Sequence, residues 1–104
     1  MSVAGRYNFE ERYKTVELSV TRLAKADPRR VFIGFYVETG FTGVRVSTLP
    51  TVTTTRPFTV DDQGREFYYT KHGDAVCAEW WGIAMGGVAE ITILEVWENE
   101  GARQ

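Results

Sequence analysis

The apolar side chains between Asp27 and Ser47 alternate with a period of two, which is typical of a β-strand. One side carries Val31, Ile33, Phe35 and Val37. The other side carries Phe32 and Tyr36, so this strand is apolar on both faces and requires cover on each. A second strand, Val44 to Ser47, follows a bend that contains glycine. The stretch is therefore predicted to be a β-hairpin that supplies the centre of the fold.

The chain before this hairpin alternates more weakly. From Thr15 to Leu23, Val16, Leu18 and Val20 share one side, which predicts a half-buried strand. Residues 1–14 show no sustained periodicity and are interpreted as an arm or an ill-defined first element. The domain itself is expected to span residues 15–98, followed by a polar tail over residues 99–104.

The chain after this hairpin is rich in turn-forming residues. The loop Glu38 to Gly43 contains two glycines and carries Phe41 at its tip. The segment Leu49 to Pro57 ends in proline and is rich in threonine, which predicts a loop or an edge strand able to make contacts. Phe58 to Val60 and Arg65 to Thr70 are predicted to form a short hairpin, followed by a turn at residues 71–74.

The C-terminal part predicts a last hairpin. Two strand-like runs, residues 75–85 and 88–98, flank Gly86 and Gly87, a pair suited to a two-residue type I′ turn. In that register Trp80 faces Ile93 on a core side. The outward side then carries Cys77, Trp81, Ile83, Met85, Val88, Leu94 and Val96. A β-bulge in either strand would shift this register.

This outward side is too apolar to face water alone. A contiguous exposed apolar patch on a small soluble domain usually marks a protein contact, and Phe32 and Tyr36 add to the patch. The chain is therefore predicted to form an obligate or near-obligate oligomer. Arg29 and Arg30 are expected to pair with acidic residues of a partner.

Length and charge bound the class of protein. A chain of 104 residues fits one domain with one core. Its net charge of −2 provides no overall attraction for nucleic acid, so no specific nucleic-acid partner is expected. No stretch approaches the length of a membrane span and no apolar leader follows Met1, so the chain is expected to be soluble, made in the cytoplasm and without a membrane partner.

Residues able to carry catalysis or bind a metal are few. His72 is the only histidine, which argues against a metal centre of several histidines, and it is interpreted as a solvated loop residue. Cys77 is the only cysteine, which excludes an internal disulfide. The acidic turn at Asp61 lacks the alternating oxygen ligands of a calcium loop. We therefore expect no catalytic residue, no cofactor and no metal.

Several segments together resemble a known class of protein. These are Asp27-Pro28-Arg29-Arg30 before an apolar strand, Val44-Arg45-Val46-Ser47, Gly73 followed by Glu79-Trp80-Trp81-Gly82-Ile83-Ala84, and Ile91 to Glu95. Over about residues 15–98 this pattern resembles small β-sandwich virion structural proteins of tailed bacteriophages, of the capsid decoration, cement, neck or tail accessory type. The resemblance implies an oligomer on the particle surface and no enzymatic activity.

The sequence as a whole predicts an all-β, single-domain β-sandwich or jelly-roll-like barrel of about seven or eight short antiparallel strands. The expected function is a non-enzymatic virion structural protein that contacts its own copies and other virion proteins, such as major capsid or neck and tail subunits. A carbohydrate-binding module that uses exposed Trp and Tyr is the alternative. The candidate interface residues are Arg29, Arg30, Phe32, Tyr36, Phe41, Thr53, Thr54, Arg56, Trp81, Ile83 and Leu94.

Overall fold

A computed structural model describes residues 7–38, 42–52, 58–61 and 64–99. These residues form two four-stranded antiparallel sheets packed face to face, which confirms the predicted all-β sandwich. The strands are β1 (Tyr7–Val16), β2 (Thr21–Ala24), β3 (Arg30–Val37), β4 (Val44–Ser47), β5 (Phe58–Val60), β6 (Arg65–Tyr68), β7 (Trp80–Ala84) and β8 (Ala89–Glu98). A four-residue helix, α1 (Tyr69–His72), and a 3₁₀ turn (Gly73–Cys77) connect β6 to β7.

The strand order is that of a jelly roll. Sheet A has the order β1-β8-β3-β6 and sheet B has the order β2-β7-β4-β5. Strand pairs β1 with β8, β2 with β7, β3 with β6 and β4 with β5 are all antiparallel, so the first half of the chain runs against the second half throughout. The chain is a long hairpin folded over into two sheets, which is the double-sheet architecture of jelly rolls.

The core lies between the two sheets and is built from β-branched and aromatic side chains. Its largest member is Trp80, whose ring lies 4.6 Å from that of Phe67 and 5.5 Å from that of Phe35, measured between centroids. Buried aromatic pairs at such separations stabilise the fold by more than their buried area alone accounts for. The other fully buried apolar side chains among the described residues are Ile33, Ile91, Ile93, Val16, Val44, Val46, Val60, Val76, Ala84 and Ala89.

The predicted hairpins are wrong in their pairing. Strands β3 and β4 do not pair, because β3 belongs to sheet A and β4 to sheet B. The same holds for β5 with β6 and for β7 with β8. Each of these connections crosses from one sheet to the other. Among the described strands, only β4 and β5 are neighbours both in sequence and in a sheet.

The predicted sides are nevertheless right within β7 and β8, although Cys77 lies in the 3₁₀ turn and not in a strand as predicted. Ala84, Ala89, Ile91 and Ile93 are fully buried, as expected for the core side. Trp81, Ile83, Leu94 and Val96 are only partly buried on the outward side. However, Trp81 and Ile83 now lie on sheet B, whereas Leu94 and Val96 lie on sheet A, so they do not form one patch.

The N-terminal strand also differs from expectation. Strand β1 runs from Tyr7 to Val16 and pairs along its whole length with β8, so residues 7–14 are not an arm. The predicted strand over residues 15–23 is divided, because the chain crosses to sheet B between Val16 and Thr21. Leu18 in this crossing is 62% exposed. The carbonyl of Glu17 accepts a 2.8 Å hydrogen bond from the amide of Ala84, which ties the crossing to the end of β7.

Candidate functional site

The outward surface of sheet A, here called face A, carries its aromatic side chains in rows across the four strands. One row runs Phe9, Val96, Phe32, Tyr68, and the next runs Glu11, Leu94, Gly34, Glu66. A third row places Tyr13, Thr92 and Tyr36 side by side. Because neighbours in a row share one side of a sheet, these residues form a continuous surface.

Two aromatic side chains of face A are mostly exposed to solvent. Phe9 is 74% exposed and Tyr13 is 71% exposed, and both lie on the edge strand β1. Further in, Phe32 stacks on Tyr68 with the ring planes 3° apart and the centroids 6.4 Å apart. The patch therefore combines ordered inner rings with two outer rings that contact little of their own chain.

Gly34 allows Tyr36 to lie flat across the middle of face A. A Cβ atom at position 34 would lie 2.6 Å from the Tyr36 hydroxyl oxygen, so a side chain there would displace the ring. The Tyr36 hydroxyl donates a 2.5 Å hydrogen bond to Glu66. Partial burial, together with this bond to an ionised carboxylate, raises the pKa of Tyr36 well above its usual 10.0. At neutral pH the Tyr36 hydroxyl is protonated, and its hydrogen bond holds the Glu66 carboxylate in place.

The charge on face A is acidic. Glu11 and Glu66 lie in its central row, and Glu90 and Glu38 border the row of Tyr13. Tyr13 donates a 3.1 Å hydrogen bond to Glu11, and this bond raises the pKa of Tyr13. Among the outward-facing residues of the four strands, as far as the structure describes them, there is no lysine or arginine.

The outward surface of sheet B, here called face B, is smaller and has the opposite charge character. Arg22 is the register neighbour of Trp81, and Arg45 is the register neighbour of Ile83. The two apolar side chains form the centre and are half-buried. Arg22 makes a 3.1 Å ion pair with Glu79 at the border.

A cleft of about 440 Å³ opens between the two sheets at one end of the sandwich. There the inward side of β8 changes from isoleucine to Glu95 and Trp97. Glu95 lies 2.6 Å from the Arg30 guanidinium and also pairs with Arg12, which in turn donates to the carbonyl of Leu23 in sheet B. Arg30 donates to the carbonyls of Val76 and Ala78 at 3.0 and 2.9 Å. These charges are engaged with one another, so the cluster fastens the two sheets together.

The structure separates the sequence-predicted site residues into distinct groups. Phe32, Tyr36 and Leu94 lie together on face A, and Trp81 and Ile83 lie on face B. Arg30 is only 2% exposed, so its predicted pairing with a partner is wrong. Arg29 stays exposed, with its Nε 3.8 Å from Asp27. Phe41, Thr53, Thr54 and Arg56 lie outside the described residues.

Sequence reasoning missed the most exposed aromatics. Phe9 and Tyr13 lie in the stretch interpreted as an arm, although Tyr7, Phe9, Glu11 and Tyr13 follow a period of two with aromatics at three of four positions. That alternation was the available signal. The other side of the strand carries the polar residues Glu10, Arg12 and Lys14, so the sequence shows no apolar side that would mark a half-buried strand.

His72 is not the solvated loop residue that the sequence indicated. Its ring packs edge-on against Phe67 with centroids 5.1 Å apart, and its Nδ1 accepts a 3.1 Å hydrogen bond from the Tyr68 amide. Within the described ranges, no three His, Cys, Asp or Glu side chains are grouped to hold a metal ion. No helix in the described part of the chain is long and apolar enough to cross a membrane.

Comparisons with known proteins give no relative for this chain. No model of a protein family matches it, and no curated protein or solved structure matches it either.

Proposed function

We propose that this chain is a non-enzymatic structural subunit that assembles with further copies of itself, as a decorating or stabilising component of a particle such as a tailed-phage virion. The observation that carries the proposal is face A, where Phe9 and Tyr13 are mostly exposed beside a continuous aromatic surface. The jelly-roll fold fits this role but is also found in lectins and other proteins. The surface, rather than the fold, therefore supports assembly.

The exposed apolar area of face A favours assembly. Monomeric soluble proteins seldom leave apolar patches larger than a few hundred Å² uncovered. Aromatic side chains such as Phe9, Tyr13 and Phe32 are the residue types that dominate contact energies, because they bury much area with little loss of conformational freedom. Covering face A with another copy removes these rings from water.

Light scattering on the purified chain tests the proposal. We expect assemblies larger than a monomer at micromolar concentration. Phe9→Lys places a charge at the most exposed ring and is expected to shift the protein toward monomers without loss of β-structure by circular dichroism. Leu49→Lys is the matched control, because Leu49 is 60% exposed but lies after β4, in no strand of sheet A. A wild-type protein that is monomeric at this concentration overturns the proposal.

A carbohydrate-binding module is the second candidate, and one observation favours it. Phe9 and Tyr13 are exposed rings with Glu11 between them on one strand, an arrangement that combines stacking surfaces with a hydrogen-bond acceptor. The tryptophans are less available for sugar binding, since Trp80 is 1% exposed and Trp81 and Trp97 are half-buried. Glycan titration followed by NMR separates the two functions: specific millimolar or tighter binding by a monomer, abolished by Phe9→Lys, supports the module.

A further inference from the structure

Face A is poorly suited to pack on a second face A. Glu11 and Glu66 lie in its central row, and Glu90 lies at its border. A symmetric contact of this face with itself would bring two sets of carboxylates together without a lysine or arginine on the outward side of these strands, as far as they are described. Like charges placed opposite one another at an interface oppose association. A copy that covers face A must present a different surface.

Face B of the same molecule has the complementary character. Its apolar centre of Trp81 and Ile83 is flanked by Arg45 and by Arg22, which pairs with Glu79 at the border. Arginine beside an aromatic side chain is typical of contact surfaces, and the guanidinium group matches a carboxylate in geometry. Face A therefore offers rings flanked by carboxylates, and face B offers apolar side chains flanked by guanidinium groups.

We infer that face A of one copy packs against face B of the next copy, so that the contact between copies is heterologous. This inference rests on the proposed function, because it names how the self-assembly occurs. Faces A and B are the two outer surfaces of one sandwich, so each copy has one of each available. A contact of this kind repeats from copy to copy, and it gives a ring if the rotation closes or a filament if it does not.

Two variants with charge reversals on opposite faces test the inference. Glu11→Arg reverses a charge on face A, and Arg45→Glu reverses a charge on face B. In a heterologous assembly each variant alone loses its contact, because every contact needs one intact face of each kind. When the two variants are mixed in equal amounts, the intact face A of one meets the intact face B of the other. We therefore expect monomers from each variant alone and dimers from the mixture.

Circular dichroism checks that each variant is folded. Arg22→Glu is the second face B variant, because the Arg22 side chain is 47% exposed and is not required for the core. The control is Lys14→Glu, which changes a charge on the opposite side of β1 from face A and is expected to leave assembly unchanged.

Each result has a distinct meaning. A wild-type monomer overturns the proposed function together with the inference. An assembling wild type whose face B variants assemble normally, while Glu11→Arg does not, overturns the heterologous contact and leaves the proposed function standing. Two monomeric variants that stay monomeric when mixed also overturn the heterologous contact. Recovery of assembly only in the mixture supports it.

Discussion

The guanidinium group of Arg30 lies 2.6 Å from the carboxylate of Glu95, and both side chains are almost fully buried, at 2% and 3% exposure. Arg30 comes from β3 and Glu95 from β8, two neighbouring strands of sheet A. The same arginine donates to the carbonyls of Val76 and Ala78, which lie in the segment that leads into sheet B. The pair therefore helps to join the two sheets at the end of the sandwich where the apolar core stops.

Removing one member of this pair is expected to destabilise the fold strongly. Glu95→Ala leaves the Arg30 guanidinium buried without its carboxylate, and breaking a buried ion pair in this way costs about 3–5 kcal/mol. Urea unfolding monitored by tryptophan fluorescence measures the loss. Glu79→Ala is the matched control, because its pair with Arg22 is exposed and contributes at most about 1 kcal/mol. Equal losses for the two variants would contradict a structural role for the buried pair.

Ionisation of Tyr36 is expected to be delayed to a pH above 10. Its pKa is raised above 10.0 by burial and by the hydrogen bond to Glu66, so the neutral form is favoured in the folded state. The stability that this provides is present below pH 10 and is lost as the pH rises through the raised pKa. Absorbance titration near pH 10 and above should show a delayed phase among the five tyrosines. Tyr36→Phe should remove that phase, and an unchanged titration would contradict the role of the bond to Glu66.

Substitution of Gly64 is expected to destabilise the fold. Its φ of +80° is in the left-handed region, and an added Cβ would lie 2.4 Å from the Tyr36 ring. Gly64→Ala should therefore cost at least the 1–2 kcal/mol or so of a non-glycine residue in this conformation. Gly86→Ala is the control, since its Cβ would meet only Thr42 at an ordinary 3.6 Å. Thermal unfolding of both variants measures the difference, and equal midpoints would refute the strain argument.

Salt is expected to weaken the contact between copies. Raising ionic strength from about 0.01 M to about 1 M shortens the Debye length from roughly 30 Å to roughly 3 Å, which screens attraction between the carboxylates of face A and the arginines of face B. Light scattering across this range should show smaller assemblies at high salt. Assemblies that grow with salt would indicate a contact made by apolar side chains alone and would contradict the charge pairing.

The placement of Trp80 and Trp81 illustrates what a single sequence can settle. Adjacent residues in a strand point to opposite sides, so one of the two had to be in the core and the other outside, whatever strand lay beside them. The structure places Trp80 in the core at 1% exposure and leaves Trp81 half-buried on face B. The same rule assigned the buried sides of β3, β7 and β8 correctly.

The alternation of side chains does not determine which strands these strands pair with. Gly86 and Gly87 are compatible with a tight hairpin, but β7 and β8 lie in opposite sheets, and β8 instead pairs with β1 and β3. In a hairpin the core-side residues lie next to each other, and in a connection between sheets they face each other across the core. Both arrangements bury the same residues, so the alternation cannot distinguish them.

The sequence by itself therefore determined the strand-rich class of the fold and the inward side of its central strands, because both depend on local periodicity. Only the tertiary structure decided that the first half of the chain pairs with the second half, that Arg30 is buried against Glu95, and that Phe9 and Tyr13 join Phe32 and Tyr36 on one face. These relationships join residues far apart in the chain, such as Arg30 and Glu95. Their free energies depend on which strands lie side by side and not on the pattern within any one strand.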